Sequence, residues 1–134
     1  TAAGATTGRE ALQLSREAKS LAGMLRDLDR ASKQMTADSR RALLASLSKA
    51  QASLADRAAA VLTQTATATR MAGVTAPKPE DFRRVADLLA QDRVIAALTE
   101  LERLAQATEH VAEAFEKWAA ERGDIKLEVY RVRK

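Results

Sequence analysis

Leucine and methionine recur every seventh residue along the first third of the chain, at Leu14, Leu21, Leu28 and Met35, with Ala11, Ala18, Leu25 and Ser32 on the complementary positions. This three-four alternation predicts a helix from about Arg9 to Lys33 that buries one narrow stripe against a partner helix. Glu10 and Glu17 lie toward its amino end and Arg26, Arg30 and Lys33 toward its carboxyl end, the signs that the helix dipole favours. The opening TAAGATTG is small, polar and interrupted by glycine, and a flexible segment is expected over 1–8. After Met35 the seam loses phase, because the next strong leucine is Leu43, eight residues on. Thr36 and Asp38 are candidate N-caps at that break, so a turn is expected at 34–38. With no Gly or Pro there, a single helix running on to Met71 is the alternative.

A second helix is expected from about Ser39 to Ala72. Leu43, Leu47, Leu54, Val61 and Leu62 are its strongest apolar positions, and Ala50, Ala58 and Ala68 permit close approach of a neighbour. Between Ala42 and Thr69 only Lys49, Asp56 and Arg57 are ionisable. A helix facing water over half its circumference ordinarily carries more charge. Contact on more than one side is therefore expected, either at the centre of a bundle or between subunits. The alternation Thr63, Thr65, Thr67, Thr69 weakens the final turns, since β-branched side chains lose freedom in a helix. Gly73 should end it.

Pro77 and Pro79 stiffen the one clear loop, 73–79. Pro79, Glu80 and Asp81 then read as the first turn of a short helix, with proline where no amide is needed and acids at the positive dipole end. Its apolar face is Phe82, Val85, Leu88 and Leu89. The pattern breaks at Gln91 and Asp92. From Arg93 to Arg122 the stripe Val94, Leu98, Leu101, Ala105, Thr108, Ala112, Phe115, Ala119 alternates four and three again, widened by Leu104, Val111 and Trp118. The stretch from Phe82 to Ala107, with DLLAQDRVIAALTELERLA at its heart, loosely resembles one tetratricopeptide-type hairpin. The tryptophan, glycine, tyrosine and closing proline of that motif are missing and no second copy follows, so it is read as generic helix-pair patterning.

Gly123 and Asp124 should stop the last helix, after which the period changes to two. Ile125, Leu127 and Val129 alternate with Lys126, Glu128 and Tyr130, a strand signature. A lone strand leaves its backbone groups unpaired, so pairing with another chain is expected of it, with a basic disordered tail as the alternative. The expected organisation is thus a flexible 1–8, a helical domain 9–123 and a strand-like basic tail 124–134. The expected fold class is all-α, an antiparallel bundle or coiled-coil hairpins of three to four helices with a short carboxyl-terminal strand.

Composition changes this picture in one respect. Hydrophobic residues make up 46% of the 134 but aromatics only 3%, so the apolar content is mostly alanine, leucine and valine. With few large side chains to anchor a lone monomer, completion of helix faces by another chain becomes more plausible. The absence of cysteine removes disulfides, thiol nucleophiles and thiolate metal sites. No run approaches the length of a membrane span and the amino terminus has no signal-peptide pattern, so a cytoplasmic protein without a membrane partner is expected. The net charge of +4 hides an asymmetry: 1–76 carry net +5, 77–123 net −3 and the last eleven residues net +2. A basic front half and an acidic last helix can neutralise each other by packing.

Candidate chemistry is largely excluded. Gly4 and Gly8 with Arg9 fall one residue short of a phosphate loop and lack its Lys-Ser/Thr pair. His110, the only histidine, has Ala107 three residues before it, so the Glu-x-x-His pair of a carboxylate-bridged metal site is missing. Glu109, Glu113 and Glu116 read as a solvated face, and Ser46, Ser48 and Ser53 as small residues on a contacted helix. No catalytic residue, cofactor, metal or small-molecule substrate is expected. The expected function is non-enzymatic: a scaffold or adaptor subunit, a homo-oligomer or part of a larger protein assembly. Its candidate interface residues are Leu14, Leu21, Leu28, Leu47, Leu54, Val61, Ile125, Leu127 and Val129. The alternative is a small subunit of a nucleoprotein complex that contacts phosphates through Arg40, Arg41, Arg83, Arg84, Arg131, Arg133 and Lys134 without base readout.

Overall fold

The computed structural model describes the backbone of residues 2–122 and the side chains of 7–121. The chain is all-α, with α1 Ala2–Ala31, a 3-10 turn Ser32–Gln34, α2 Ala37–Gln64, α3 Ala66–Met71, α4 Pro79–Ala90 and α5 Val94–Arg122. There is no strand among the described residues. The tail expected to form one, 124–134, lies outside them.

Four elements close a ring by pairwise packing: α1 on α2, α2 on α4, α4 on α5, and α5 back on α1. Cross-helix contacts give each pair its direction. Glu17 meets Arg57, and Ser48 and Gln51 reach the carbonyls of Ala86 and Phe82. Lys19 and Arg26 pair with Glu109 and Glu102, so that numbering rises along one helix as it falls along the next. Because α4 has only 12 residues against 28 and 29 for its neighbours α2 and α5, it covers one end of the array. At the other end α3 packs on α5, where Ala68, Phe115 and Ala119 are buried and the half-buried Trp118 lies 5.7 Å from Phe115 by ring centroid.

The boundary between α1 and α2 follows the cap signal. Thr36 has extended backbone and its side chain accepts from the Ser39 amide at 3.0 Å, satisfying one of the orphan donors of the first turn of α2. The helices are therefore separate, and the continuous helix to Met71 is not formed. At the amino end α1 begins at Ala2 rather than near Arg9, so the segment expected to be flexible is drawn into the helix. Alanine has the highest helix propensity, and Gly8 is buried. The second helix also differs from expectation: it breaks at Thr65, giving α2 and the six-residue α3 in place of one helix to Ala72. At Thr65 the backbone leaves the helical region, with φ −99 and ψ 1, while its amide and hydroxyl both bond the Val61 carbonyl, at 3.0 and 2.9 Å.

The remaining turns follow from residue chemistry. Gly73 takes φ +71, a left-handed conformation that costs a side-chain-bearing residue about 1 kcal/mol or more. Pro79 opens α4, and Asp81 accepts from the Lys78 amide at 3.2 Å. Between α4 and α5, Asp92 adopts φ +58, and its carboxylate is held by Arg40 of α2 at 2.7 Å.

The core runs the length of the ring. Ala11, Leu14, Ala18, Leu25 and Leu28 of α1 and Leu44, Leu47, Leu54, Ala58 and Val61 of α2 join Phe82, Val85 and Leu89 of α4 and Leu101, Leu104 and Val111 of α5. Leu21 and Met35, on the expected seam, are only partly buried. Two buried polar side chains bond to neighbouring backbone: Ser15 donates to the Ala105 carbonyl at 2.9 Å and Gln51 to that of Phe82 at 3.0 Å. The Gln51 Oε1 has no hydrogen-bond partner among the described residues.

Candidate functional site

The leucine positions put forward as an interface lie in this core. Leu14, Leu28, Leu47, Leu54 and Val61 are each at most 5% exposed and Leu21 is half-buried, covered by the chain's own helices, so no second chain is needed to bury them. Ile125, Leu127 and Val129 lie outside the described residues.

The four described arginines of the phosphate reading all face carboxylates. Arg40 pairs with Asp92 and also bonds Ser32. Arg41 pairs with Asp38, Arg83 with Asp56 and Arg84 with Asp81. The Arg40 guanidinium beside Asp92 holds that carboxyl below its ordinary value, chiefly by hydrogen bonding, and Arg57 does the same for Glu17. In the direction expected from the charge asymmetry, bases of α1 meet acids of α5 at Lys19–Glu109 and Arg26–Glu102. Arg40/Arg41 and Arg83/Arg84 do not form one patch: Gln51 bonds α4 beside Phe82, about 16 Å along α2 from Arg40 at 1.5 Å per residue. Arg131, Arg133 and Lys134 lie outside the described residues.

No group of three or more His, Cys, Asp or Glu among the described residues is placed to hold a metal ion, and His110 is exposed on α5. No described helix is long and apolar enough to cross a membrane.

What the fold leaves uncovered is the outward side of α2. Its inward positions are Leu44, Leu47, Gln51, Leu54, Ala55, Ala58, Val61 and Leu62, which touch α1 on one flank and α4 on the other. Opposite them Ala42, Ala45, Ser46, Lys49, Ala50, Ala52, Ser53, Asp56 and Ala60 are all exposed, with Leu43 39% exposed beside them. The expected two-sided contact is thus made by α1 and α4 within the chain, and the charge-poor remainder faces water. Beside the strip, a groove of about 630 Å³ opens between α2 and the end of α4, with Ala45, Ala52, Leu89 and Ala90 on its walls and Arg41 and Lys49 at its edge.

In the sequence the strip is masked by the stronger leucine pattern. A weaker seven-residue row, Ala45, Ala52, Ala59, runs two residues ahead of the leucine row Leu47, Leu54, Val61, and two residues correspond to about 200° around a helix. The two rows therefore lie on nearly opposite faces, and Ala45 and Ala52 are exposed where Leu47 and Leu54 are buried.

The arrangement offers an exposed, charge-poor helix face as a surface for contact. No protein-family model matches the chain, and no curated protein or solved structure matches it either.

Proposed function

We propose that the protein is a non-enzymatic helical assembly subunit that works by protein-protein contact, self-association first. The observation that carries this reading is the outward face of α2. From Ala42 to Ala60 it presents alanine and serine with Lys49 and Asp56 as its charges, whereas a face selected only for water would carry charge on most turns. Small side chains also lose little entropy when a partner covers them. The alternating residues Ile125 to Val132 supply a second contact of the same class, a strand added to a partner's sheet. The nucleoprotein reading has less behind it, since the four described arginines would have to leave carboxylate partners to reach phosphates.

Sedimentation velocity from about 1 µM to about 1 mM, the range in which weak to moderate complexes populate, tests it. The expected result is a mass that rises with concentration toward a small multiple of the chain. A single-chain mass across the whole range, or binding to mixed-sequence RNA or DNA that weakens steeply with salt, would refute it.

A further inference from the structure

We infer that the partner on α2 is a second copy of the same helix, docked antiparallel about a two-fold axis level with the midpoint between Ala52 and Ser53. The inference rests on the self-association reading and adds its surface, direction and register.

The charges of the strip carry it. Arg57, at its margin, is engaged by Glu17 through two hydrogen bonds of 2.5 and 2.6 Å, and Arg41 by Asp38. Lys49 has no carboxylate within ion-pair distance among the described residues, and Asp56 has only Arg83 at 3.5 Å, its own side chain 76% exposed. Lys49 and Asp56 are seven residues apart, so they stand on one face, separated by about 10 Å along the axis. A two-fold axis midway between them sets each Lys49 level with the Asp56 of the other copy, and does so twice. A parallel copy would set Lys49 against Lys49. An antiparallel copy slipped by one heptad in either direction would set Lys49 against Lys49 or Asp56 against Asp56. Only the register centred between Ala52 and Ser53 pairs opposite charges at both positions, which is how charge selects direction and register at helix interfaces.

The shape of the strip agrees. In this register Ala45 lies level with Ala60 and Ala42 with Thr63, with Ala52 and Ser53 beside the axis. Among Ala42, Ala45, Ser46, Ala52, Ser53, Ala60 and Thr63 no side chain extends beyond a γ atom, so the two helices can approach to about 8 Å, the close end of helix packing. The strip lies opposite the buried stripe of α2, and on its α4 side it borders the groove lined by Ala45, Ala52, Leu89 and Ala90, with Asp56 reaching Arg83 there. It is also narrow. From Ala42 to Thr63 it measures about 32 Å by about 10 Å, well under the footprint of a standard stable interface. The dimer is therefore weak and populated at high concentration, and the ion pairs count for more in it than they would in a large interface.

Charge reversal tests this without touching the core. Four samples of the full chain, wild type, K49D, D56K and K49D/D56K, are compared by sedimentation equilibrium, with far-UV circular dichroism and thermal melts to show that each is folded. Each single reversal places like charges level twice per dimer and should lower the association constant by about tenfold or more, while the double reversal restores both pairs and returns it to within about threefold of wild type. An equimolar mixture of K49D and D56K, whose strips are respectively all acidic and all basic, should form a mixed dimer tighter than either variant alone. If wild type associates but the single reversals leave the constant unchanged, or the double reversal fails to restore it, this docking is overturned while self-association stands. If wild type is monomeric up to about 1 mM, both fall.

Discussion

The two long amino-terminal helices are nearly equal in length, 30 residues in α1 and 28 in α2, and they meet water in opposite ways. α1 buries a leucine-rich stripe and rims it with charges that reach across to its neighbours, Glu17 to Arg57, Lys19 to Glu109 and Arg26 to Glu102. α2 buries an equally apolar stripe but leaves alanine and serine on its outer side. A leucine periodicity reports which side of a helix is buried, because exposing those side chains forfeits roughly 1.5 to 3 kcal/mol each, although Leu21 and Met35 on the seam are only partly covered. A scarcity of charge does not report burial within the same chain. On α2 it marks a face that the chain's own helices leave open, since alanine and serine hold a helix in water yet lose little side-chain entropy when a partner covers them.

The largest effect that would break this contrast lies at adjacent levels of α2. Leu54→Glu places a carboxylate at a position 1% exposed and should cost several kcal/mol, enough to unfold the chain or nearly so. Ala52→Glu, two residues away on the outer side, should change monomer stability by no more than about 0.5 kcal/mol. Thermal melts at low concentration compare them, and equal losses would mean that α2 has no free face.

A finer comparison stays within the α1 seam. Leu28 is 2% exposed and Leu21 only half-buried, although both stand on the same heptad position. Leu28→Ala should cost about 2 to 5 kcal/mol in urea denaturation and Leu21→Ala roughly half as much. Identical costs would show that the seam is buried evenly, as a strict coiled coil would have it.

The smallest effect concerns the ion pair that joins the two helices. Hydrogen bonding to Arg57 lowers the Glu17 pKa in the folded chain. Its contribution is therefore fully present above the unfolded glutamate value and is lost as pH falls through the folded one. Both side chains are partly in water, 33% and 49% exposed, which keeps the contribution at or below about 1 kcal/mol. Between neutral pH and about pH 3 the wild type should lose that much more stability than Glu17→Gln, read from urea midpoints at each pH. No difference between the two acid profiles would leave the α1–α2 contact to apolar packing alone.

Much of the fold could be read along the chain because its signals are local. The Thr36 cap, the left-handed Gly73, Pro79 at the start of α4 and the interruption at Gln91–Asp92 each depend on a few neighbouring atoms, and each stands where the residues placed it. The break at Thr65 was visible only as a weakness, since a run of threonines lowers helix propensity without saying at which of them the backbone leaves the helical region. The candidate contact surface was less legible. Low charge pointed to α2 as a whole, but residues such as Ala45 and Ala52 read alike whether they are covered or bare.

By itself, then, the sequence determined that the chain is helical, where most helices start and stop, and which stripe of each is apolar, because hydrogen bonding within a turn and the 3.6-residue period act over short stretches. Tertiary structure decided which helices fill one another's stripes, so that a leucine seam able to join two chains is closed by α2 and α5 of the same one. It also decided that the short α4 covers one flank of α2 and leaves the opposite face in water. Those outcomes depend on which apolar surfaces can reach each other once the loops have set the helices side by side, and periodicity within a helix says nothing of what lies across from it.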